Sequence, residues 1–320
     1  MKTFIDELDK LYSEGNLKAV EVFLTSAVDG SEEDSLEQAS FLNELAGFYR
    51  GVSHFTESEN AFVRSLDIFE KNDMVATPQY ATVLLNMAGL FRIKGEADKS
   101  LDLFISAMIK LENAGAKESY AYISVLNNLA LAWQEKGDLD KALECATVAL
   151  ELLRTRSENE HIDRNEHEYD HEIAASLNNL AAIRLRRGEV NAADSLASEA
   201  LSIYEAVPEP DVHYAAALTT KAVISFRSGD AYAALDGFKR SLMLTRSFFG
   251  ENIEFAVCKR NIADVYELLG DTSSAVAELT DACRIATALL GEDHLTVVSM
   301  REKLSHLNED AEQTGQYEKS

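Results

Sequence analysis

The sequence predicts an all-α solenoid of stacked helical hairpins, because a short motif recurs along the chain with a nearly constant period. Successive copies, such as LNMAGLFR, LNNLALAW and LNNLAAIR, share one alanine, which we call the marker alanine. The marker alanines are Ala46, Ala88, Ala130, Ala181, Ala222 and Ala263. Their spacings of 42, 42, 51, 41 and 41 residues are typical of solenoids, in which each unit packs only on its neighbours.

Each copy of the motif lies in the first of two amphipathic helices. In the third copy, apolar residues from Tyr122 to Trp133 recur at helical spacing, and a second apolar stripe runs from Ala142 to Leu153. Gly137 lies between the two stripes, at a position where glycine commonly ends a helix. The pattern therefore predicts two helices joined by a tight turn.

Three further positions repeat at fixed distances from the marker alanine, and we call each set of equivalent positions a column. A glycine follows it by seven residues in five of the six copies, whereas the first copy has Ser53, so we expect a looser turn there. Small residues follow the marker alanine by twelve and by nineteen residues in every copy. Small side chains let helix backbones approach closely, so we expect both columns at helix–helix contacts.

The same distances from the marker alanine define the expected segments of the chain. Residues 3–28 follow this spacing with less typical residues and are expected to form a degenerate N-terminal hairpin. Residues 37–290 are expected to form six hairpins of about 42 residues. A final amphipathic stripe predicts a capping helix at 294–308, with a charged face turned to water. Residues 309–320 carry no apolar pattern and are expected to be disordered.

These features resemble the tetratricopeptide repeat, and the long period and LNNLA strings resemble its kinesin-light-chain subtype. The segment LLGEDHLTVV at 289–298 is similar to the linker between units of that subtype. The resemblance covers about residues 3–307 and implies a right-handed superhelix, whose concave groove is lined by the first helix of each hairpin. It implies binding of a peptide or protein segment without identifying the partner, because this repeat serves very many proteins.

The composition narrows the classes of partner. With 55 acidic and 30 basic residues the net charge is −25, which repels nucleic-acid phosphates and anionic lipid, so we expect neither nucleic acid nor membrane as a partner. No apolar run is long enough to span a bilayer, and the acidic N-terminus does not resemble a signal peptide. Three scattered cysteines favour a reducing compartment, so we expect a cytoplasmic protein.

The resemblance implies that the column two residues before the marker alanine points into the groove. Four asparagines stand in this column: Asn86, Asn128, Asn179 and Asn261. An asparagine amide both donates and accepts, so it can pair with a peptide backbone whatever side chains the peptide carries. The alternative is that these amides bond neighbouring helices and hold the array in shape.

Arginines occupy nearby positions of the same face: Arg50, Arg92, Arg186, Arg227 and Arg260. Guanidinium groups pair with carboxylates through two parallel hydrogen bonds. Their concentration on one face of an acidic chain therefore predicts a cationic groove for an acidic peptide. The alternative is that each arginine is solvated and paired with a nearby glutamate of the chain itself.

The spacing of 51 residues places an insertion at 154–171. This charged stretch predicts a longer loop or a helix extension, which could lie at the edge of the binding face. It contains His167, Glu168 and His171 in the order H-E-x-x-H, a zinc-binding motif of metalloproteases. The charged neighbours and the lack of a third ligand argue against that activity, leaving incidental metal binding with His161 as an open alternative.

We therefore predict a non-catalytic adaptor that binds a peptide or protein segment in its groove and uses no cofactor or metal. The sequence contains no phosphate-binding loop and no nucleophile motif. The nearest alternative is a regulator whose groove senses a peptide, and a remote one is a zinc hydrolase that uses the HEYDH segment. Self-association through one end of the array is a third possibility.

Overall fold

The all-α prediction is confirmed over the described part of the chain. The computed structural model describes residues 2–160, 169–207 and 212–317, which contain fifteen α-helices and no strand. None of the helices in these ranges has the length and apolar content needed to cross a membrane. The chain divides into two compact units, Met1–Pro210 and Asp211–Ser320, and each is described by itself.

The first unit is a stack of helical hairpins, in which each helix packs on the one before it. Its helices are α1 (Lys2–Ser13), α2 (Leu17–Gly30), α3 (Leu36–Gly51), α4 (Phe55–Lys71), α5 (Pro78–Ile93), α6 (Ala97–Asn113), α7 (Tyr120–Lys136), α8 (Leu139–Glu160), α9 (Asp170–Arg186) and α10 (Val190–Ala206). The first helices of successive hairpins, α3, α5, α7 and α9, also contact one another. We call these four the A helices and their shared surface the A-helix face.

The second unit continues the same pattern with two hairpins and a last helix. Its helices are α11 (Val212–Arg227), α12 (Ala231–Phe249), α13 (Ile253–Leu268), α14 (Thr272–Leu290) and α15 (Leu295–Tyr317). Helix α15 packs on α14, and Lys303 of α15 forms ion pairs with Asp264 and Glu267 of α13, at 2.6 and 2.7 Å.

Helix α15 extends past residue 308, where the sequence predicts disorder, and ends at Tyr317. Its apolar stripe ends at Leu307, which is 3% exposed, so the apolar pattern gives no sign of the extension. The following residues include alanine, glutamate and glutamine, which favour helix without requiring burial.

The turns within the hairpins share one backbone conformation. Gly95 and Gly137 have φ angles of 77° and 86°, in the left-handed region that glycine adopts most readily. Ser53 has a φ of 63°, and the amide after it donates to Tyr49 O at 2.8 Å, as the amide after Gly95 donates to Phe91 O at 2.9 Å. The expectation of a looser first turn is therefore wrong, because the backbone hydrogen bonds impose the same turn on serine.

The two columns of small residues lie in the tightest helix contacts. Ser58 is fully buried and donates to the marker carbonyl Ala46 O at 2.8 Å, and Ser100 donates to Ala88 O at 2.9 Å. The alanines of the same columns are likewise fully buried, namely Ala107, Ala142, Ala149, Ala193, Ala200, Ala234, Ala275 and Ala282. A larger side chain at these positions would separate the paired helices.

The insertion between α8 and α9 begins as an extension of α8. Helix α8 continues to Glu160, which confirms that interpretation for its first part, and residues 161–168 lie outside the described residues. Arg156 anchors the extension, because its Nη1 donates to Glu118 O at 2.9 Å and its Nε to the hydroxyl of Tyr169 at 3.0 Å.

Adjacent alanines in α10 provide a direct test of the small-residue columns. Ala193 is fully buried whereas Ala192 is exposed. We expect Ala193→Leu to lower the free energy of unfolding by about 1–3 kcal/mol through overpacking. Ala192→Leu should change it by less than about 0.5 kcal/mol. Urea denaturation of both variants measures the difference, and equal stabilities would contradict the packing argument.

Candidate functional site

Six of the nine residues predicted to bind a partner lie on the A helices of the first unit. Arg50 is on α3, Asn86 and Arg92 on α5, Asn128 on α7, and Asn179 and Arg186 on α9. The remaining three, Arg227, Arg260 and Asn261, belong to the second unit.

A polar network joins α3 to α5. Asn86 Nδ2 donates to Asn43 Oδ1 at 3.0 Å, and Asn43 Nδ2 donates to Glu44 Oε1 at 3.2 Å. Arg50 Nη1 crosses the same interface and donates to the backbone carbonyl of Asn86 at 3.0 Å. Two predicted site residues are thus adjacent and hold neighbouring helices together.

The path of Arg50 depends on a glycine in α5. A Cβ atom at Gly89 would lie 2.7 Å from Arg50 Nη1, closer than such atoms approach each other. Glycine at this position therefore lets the guanidinium lie against the α5 backbone and reach Asn86 O. The marker alanine Ala88 immediately precedes this glycine and is fully buried.

The asparagines of α7 and α9 have different roles. Asn127 and Ser176 exchange hydrogen bonds of 2.7 and 3.1 Å, and Asn179 Nδ2 lies 3.5 Å from Asn127 Oδ1. Asn128 Nδ2 instead donates to Ser124 O of its own helix at 2.9 Å. Asn127 and Asn179 therefore tie α7 to α9, whereas the bond of Asn128 stays within α7.

Two predicted arginines converge on the C-terminal end of α7 from opposite sides. Arg92 of α5 forms an ion pair with Glu135, with 2.6 Å between Nη1 and Oε1. Arg186 of α9 donates from Nη1 to the backbone carbonyl of Gln134 at 2.7 Å. This carbonyl lies in the last turn of α7, where it also accepts a hydrogen bond from the Gly137 amide at 3.2 Å and where the helix dipole attracts cations.

The second unit repeats part of this arrangement. Asn261 is 9% exposed, and its Oδ1 accepts a hydrogen bond from Arg260 Nη2 at 3.0 Å. Arg227 is exposed at the end of α11. Arg260 and Asn261 are consecutive residues, and this bond uses one acceptor position of the Asn261 oxygen.

Buried polar atoms without a hydrogen bond are concentrated on first helices of hairpins. Among the described residues these atoms are Arg92 Nε, Gln134 Oε1, Glu172 Oε2, Asn178 Oδ1, Arg260 Nε and Asp264 Oδ1. They lie on α5, α7, α9 and α13. Asp264 Oδ1 is nevertheless paired by charge with Lys303. Buried polar atoms are nearly always satisfied in folded proteins, so these atoms are exceptions among the described residues.

Burial changes the acidity of Glu44, which lies at the start of the network. The pKa of Glu44 is raised chiefly because burial disfavours the carboxylate, while the Asn43 hydrogen bond and the Arg50 charge act in the opposite direction. The pKa of the Tyr12 hydroxyl in α1 is raised by burial and then by the Glu44 charge. Glu44 therefore sits in a desolvated part of the A-helix face.

Three of the residues of the zinc-binding alternative, His161, His167 and Glu168, lie outside the described residues. The structure therefore does not test this alternative. His171 is described, and its backbone carbonyl accepts a hydrogen bond from the Tyr204 hydroxyl at 3.2 Å. Its ring also meets the Tyr204 ring edge-on, with 5.9 Å between centroids. In the described ranges, no three or more His, Cys, Asp or Glu side chains are arranged to hold a metal ion.

Sequence reasoning missed five polar residues that complete these contacts: Asn43, Asn127, Gln134, Glu135 and Ser176. Asn43 and Asn127 stand three residues before the marker alanine, one position before the predicted asparagine column. Their repetition three before the marker was therefore an available signal.

Comparison with known proteins identifies the repeat. Profiles of the tetratricopeptide repeat match residues 79–155, 173–211 and 255–296. No curated protein sequence matches the chain.

Several solved structures share the fold. NprR in complex with its cognate peptide NprX matches over 100% of this chain and 87% of its own, with a TM-score of 0.66 and 12% identity. The Rap conjugation gene regulator of the plasmid pLS20, in complex with the Phr* peptide, matches over 90% and 74%, with a TM-score of 0.67 and 16% identity. A Rap protein complexed with competence and sporulation factor matches over 98% of both chains, with a TM-score of 0.55 and 14% identity.

The contact between Arg50 and Gly89 can be tested by a double-mutant cycle. In an Arg50→Gln background, Gly89→Ala should raise the free energy of unfolding by about 1 kcal/mol, because alanine favours helix. With Arg50 present, the gain should fall to near zero, because the new Cβ displaces a charged hydrogen bond of about 1 kcal/mol. Denaturant unfolding of the four proteins gives the coupling, and additive effects would show that Arg50 does not lie against Gly89.

The raised pKa of Glu44 predicts a pH-dependent effect on stability. Above this pKa the buried carboxylate opposes folding, and stability increases as pH falls through it. Glu44→Gln should therefore raise Tm at neutral pH, and the difference from the parent should shrink below the ordinary glutamate pKa. Thermal unfolding at both pH values measures this, with the exposed Glu37→Gln as control. A lower Tm at neutral pH would contradict the assignment.

Proposed function

The chain is a tetratricopeptide-repeat protein, and from this premise we propose that it is a non-catalytic scaffold for protein interaction, whose A-helix face binds an extended peptide or protein segment. The observation that carries the proposal is that polar side chains of three successive A helices, Arg92, Asn128 and Arg186, are partly or fully exposed to solvent. A bound segment can therefore form hydrogen bonds with side chains of several hairpins.

The asparagines provide a second argument. Asn86 and Asn179 use one donor each to hold neighbouring A helices, which agrees with a structural role, yet each amide carries a second N–H group and an oxygen with two lone pairs. Asn128 makes its described bond within α7 alone. It is therefore the asparagine that we assign most directly to contact with a peptide backbone.

The solved structures of similar fold support the proposal at the level of the class of partner. NprR, the Rap regulator of pLS20 and the Rap protein were each solved with a bound peptide or factor. The Rap protein of pLS20 is a conjugation gene regulator. A peptide-sensing regulator is therefore the second candidate function for this chain.

The proposal predicts that Asn128 contributes to peptide affinity and not to folding. A library of random octapeptides would be selected on the intact protein, and the affinity of an enriched peptide measured by fluorescence anisotropy. Asn128→Ala should weaken binding by roughly fivefold to tenfold, as expected for one hydrogen bond, and leave Tm unchanged.

Asn191 on α10 provides the matched control, because it is exposed and lies on the second helix of its hairpin. Asn191→Ala should bind the same peptide as the parent does. Failure to enrich any peptide, or equal affinity of the Asn128 and Asn191 variants, would contradict the proposed function of this face.

A further inference from the structure

We propose that α12 carries a second docking surface, which binds an acidic amphipathic helix of a partner protein. We call this surface the α12 face, and it consists of the exposed side chains Tyr232, Asp236, Lys239, Arg240, Met243 and Arg246. Because α12 is the second helix of its hairpin, the α12 face is separate from the A-helix face. The inference therefore goes beyond the proposed function and does not depend on it.

Helix α12 departs from the repeat at two exposed positions. The residues ten and twenty-one after the marker alanine are exposed in each of the second helices α4, α6, α8, α10, α12 and α14. At the first position α12 has Tyr232, where the other helices have polar residues, namely Thr56, Asp98, Asp140, Asn191 and Ser273. At the second position α12 has Met243, where the others have Asp67, Ile109, Glu151, Ser202 and Arg284. Packing of the array therefore does not account for Tyr232 and Met243.

The two apolar side chains lie on the same side of α12 and face solvent. Tyr232 is 77% exposed and Met243 is 74% exposed. Their separation of eleven residues is close to three helical turns, which places them about 16 Å apart along the helix axis. Tyrosine, methionine and arginine are the side chains that protein interfaces favour over the rest of the surface. A partner that covers both residues gains the free energy of burying them.

The charge of this hairpin is opposite to that of the chain. Helices α11 and α12 span Val212–Phe249, which contains five basic and two acidic residues and has a net charge of +3. The corresponding ranges of the other hairpins have a net charge of −3 or 0, and the whole chain has −25. The resulting local positive field attracts an acidic partner to this hairpin and away from the rest of the surface.

Cations surround Met243 on the α12 face. Lys239 precedes it by four residues and Arg246 follows it by three, so both are its neighbours on the helix surface. The side chain of Arg246 is 66% exposed, and its Nη2 lies 3.6 Å from Glu251 Oε1. Lys239 Nζ lies 5.5 Å from the centroid of the Tyr266 ring. An exposed ion pair contributes little free energy and the ring is neutral, so both cations remain available to a partner.

These features favour an acidic helix of another protein over a second copy of the same face. Two α12 faces in a symmetric dimer would bring like charges together, which is unfavourable. A partner helix with apolar residues eleven positions apart matches the spacing of Tyr232 and Met243 when it lies along α12. Glutamates beside those residues would meet the cations of the face.

The test uses displayed peptides of twenty residues, selected on the intact protein, with varied apolar residues eleven positions apart and glutamate at the flanking positions. A second library has lysine in place of glutamate. We expect enrichment from the glutamate library alone, and affinities that fall as salt is raised. By fluorescence anisotropy, Tyr232→Ser should bind an enriched peptide at least about tenfold more weakly, and Met243→Ser about threefold to tenfold more weakly.

Ile109→Ser is the matched control, because Ile109 is the exposed apolar residue at the position of α6 that corresponds to Met243. It should bind the peptide as the parent does. Tyr232 and Met243 are exposed, so their variants should keep the Tm of the parent. The octapeptides selected for the A-helix face should bind Tyr232→Ser and the parent equally, so failure of this inference leaves the proposed function standing.

Four results would overturn the inference. The first is no enrichment from the glutamate library, and the second is equal affinity of the parent and Tyr232→Ser. The third is a parent oligomer in sedimentation that Tyr232→Ser dissociates, because a second copy would then occupy the face. The fourth is flotation with phosphatidylserine vesicles that Tyr232→Ser abolishes, because the occupant would then be a lipid surface.

Discussion

The close approach of paired helices is the constraint on which the remaining structure depends. It requires small residues at two positions in the second helix of each hairpin. At one of these positions Ser58 and Ser100 donate hydrogen bonds to the backbone carbonyls of the marker alanines. Since each helix packs on its predecessor, these contacts set the spacing of the A helices within the first unit. That spacing in turn allows side chains of one A helix to reach the next.

The A-helix face combines structural contacts with the binding role that we propose for it. Arg50 and Asn86 hold α3 against α5, and Arg92 and Arg186 reach α7 from both sides. Such ties satisfy part of the hydrogen-bonding capacity of each group and leave other atoms buried without partners. A surface of this kind can be stable without a ligand and still gain free energy when one binds, because partly exposed side chains such as Asn128 keep unused donors and acceptors.

The sequence predicts the position of the arginines but not their partners. Their position on first helices followed from the repeat, whereas two roles were open: binding an acidic peptide, or pairing with a glutamate of the chain itself. In the structure Arg92 pairs with a glutamate, whereas Arg50 and Arg186 donate to backbone carbonyls. A carbonyl acceptor cannot be read from a pattern of side chains, because every residue has one. The cationic groove for an acidic peptide therefore remains a proposal.

The sequence by itself determined the helical hairpins, their small-residue contacts and their glycine turns, because each depends on local periodicity and on residue size. The tertiary structure decided the rest. It showed that Ser53 adopts the same left-handed conformation as the turn glycines and that α15 continues beyond Leu307. It also showed that Glu135 forms an ion pair with Arg92. The ion pair depends on which side chains meet between helices that are distant in sequence. The length of α15 depends on how far a helix continues without apolar contacts. The spacing of a repeat determines neither of these.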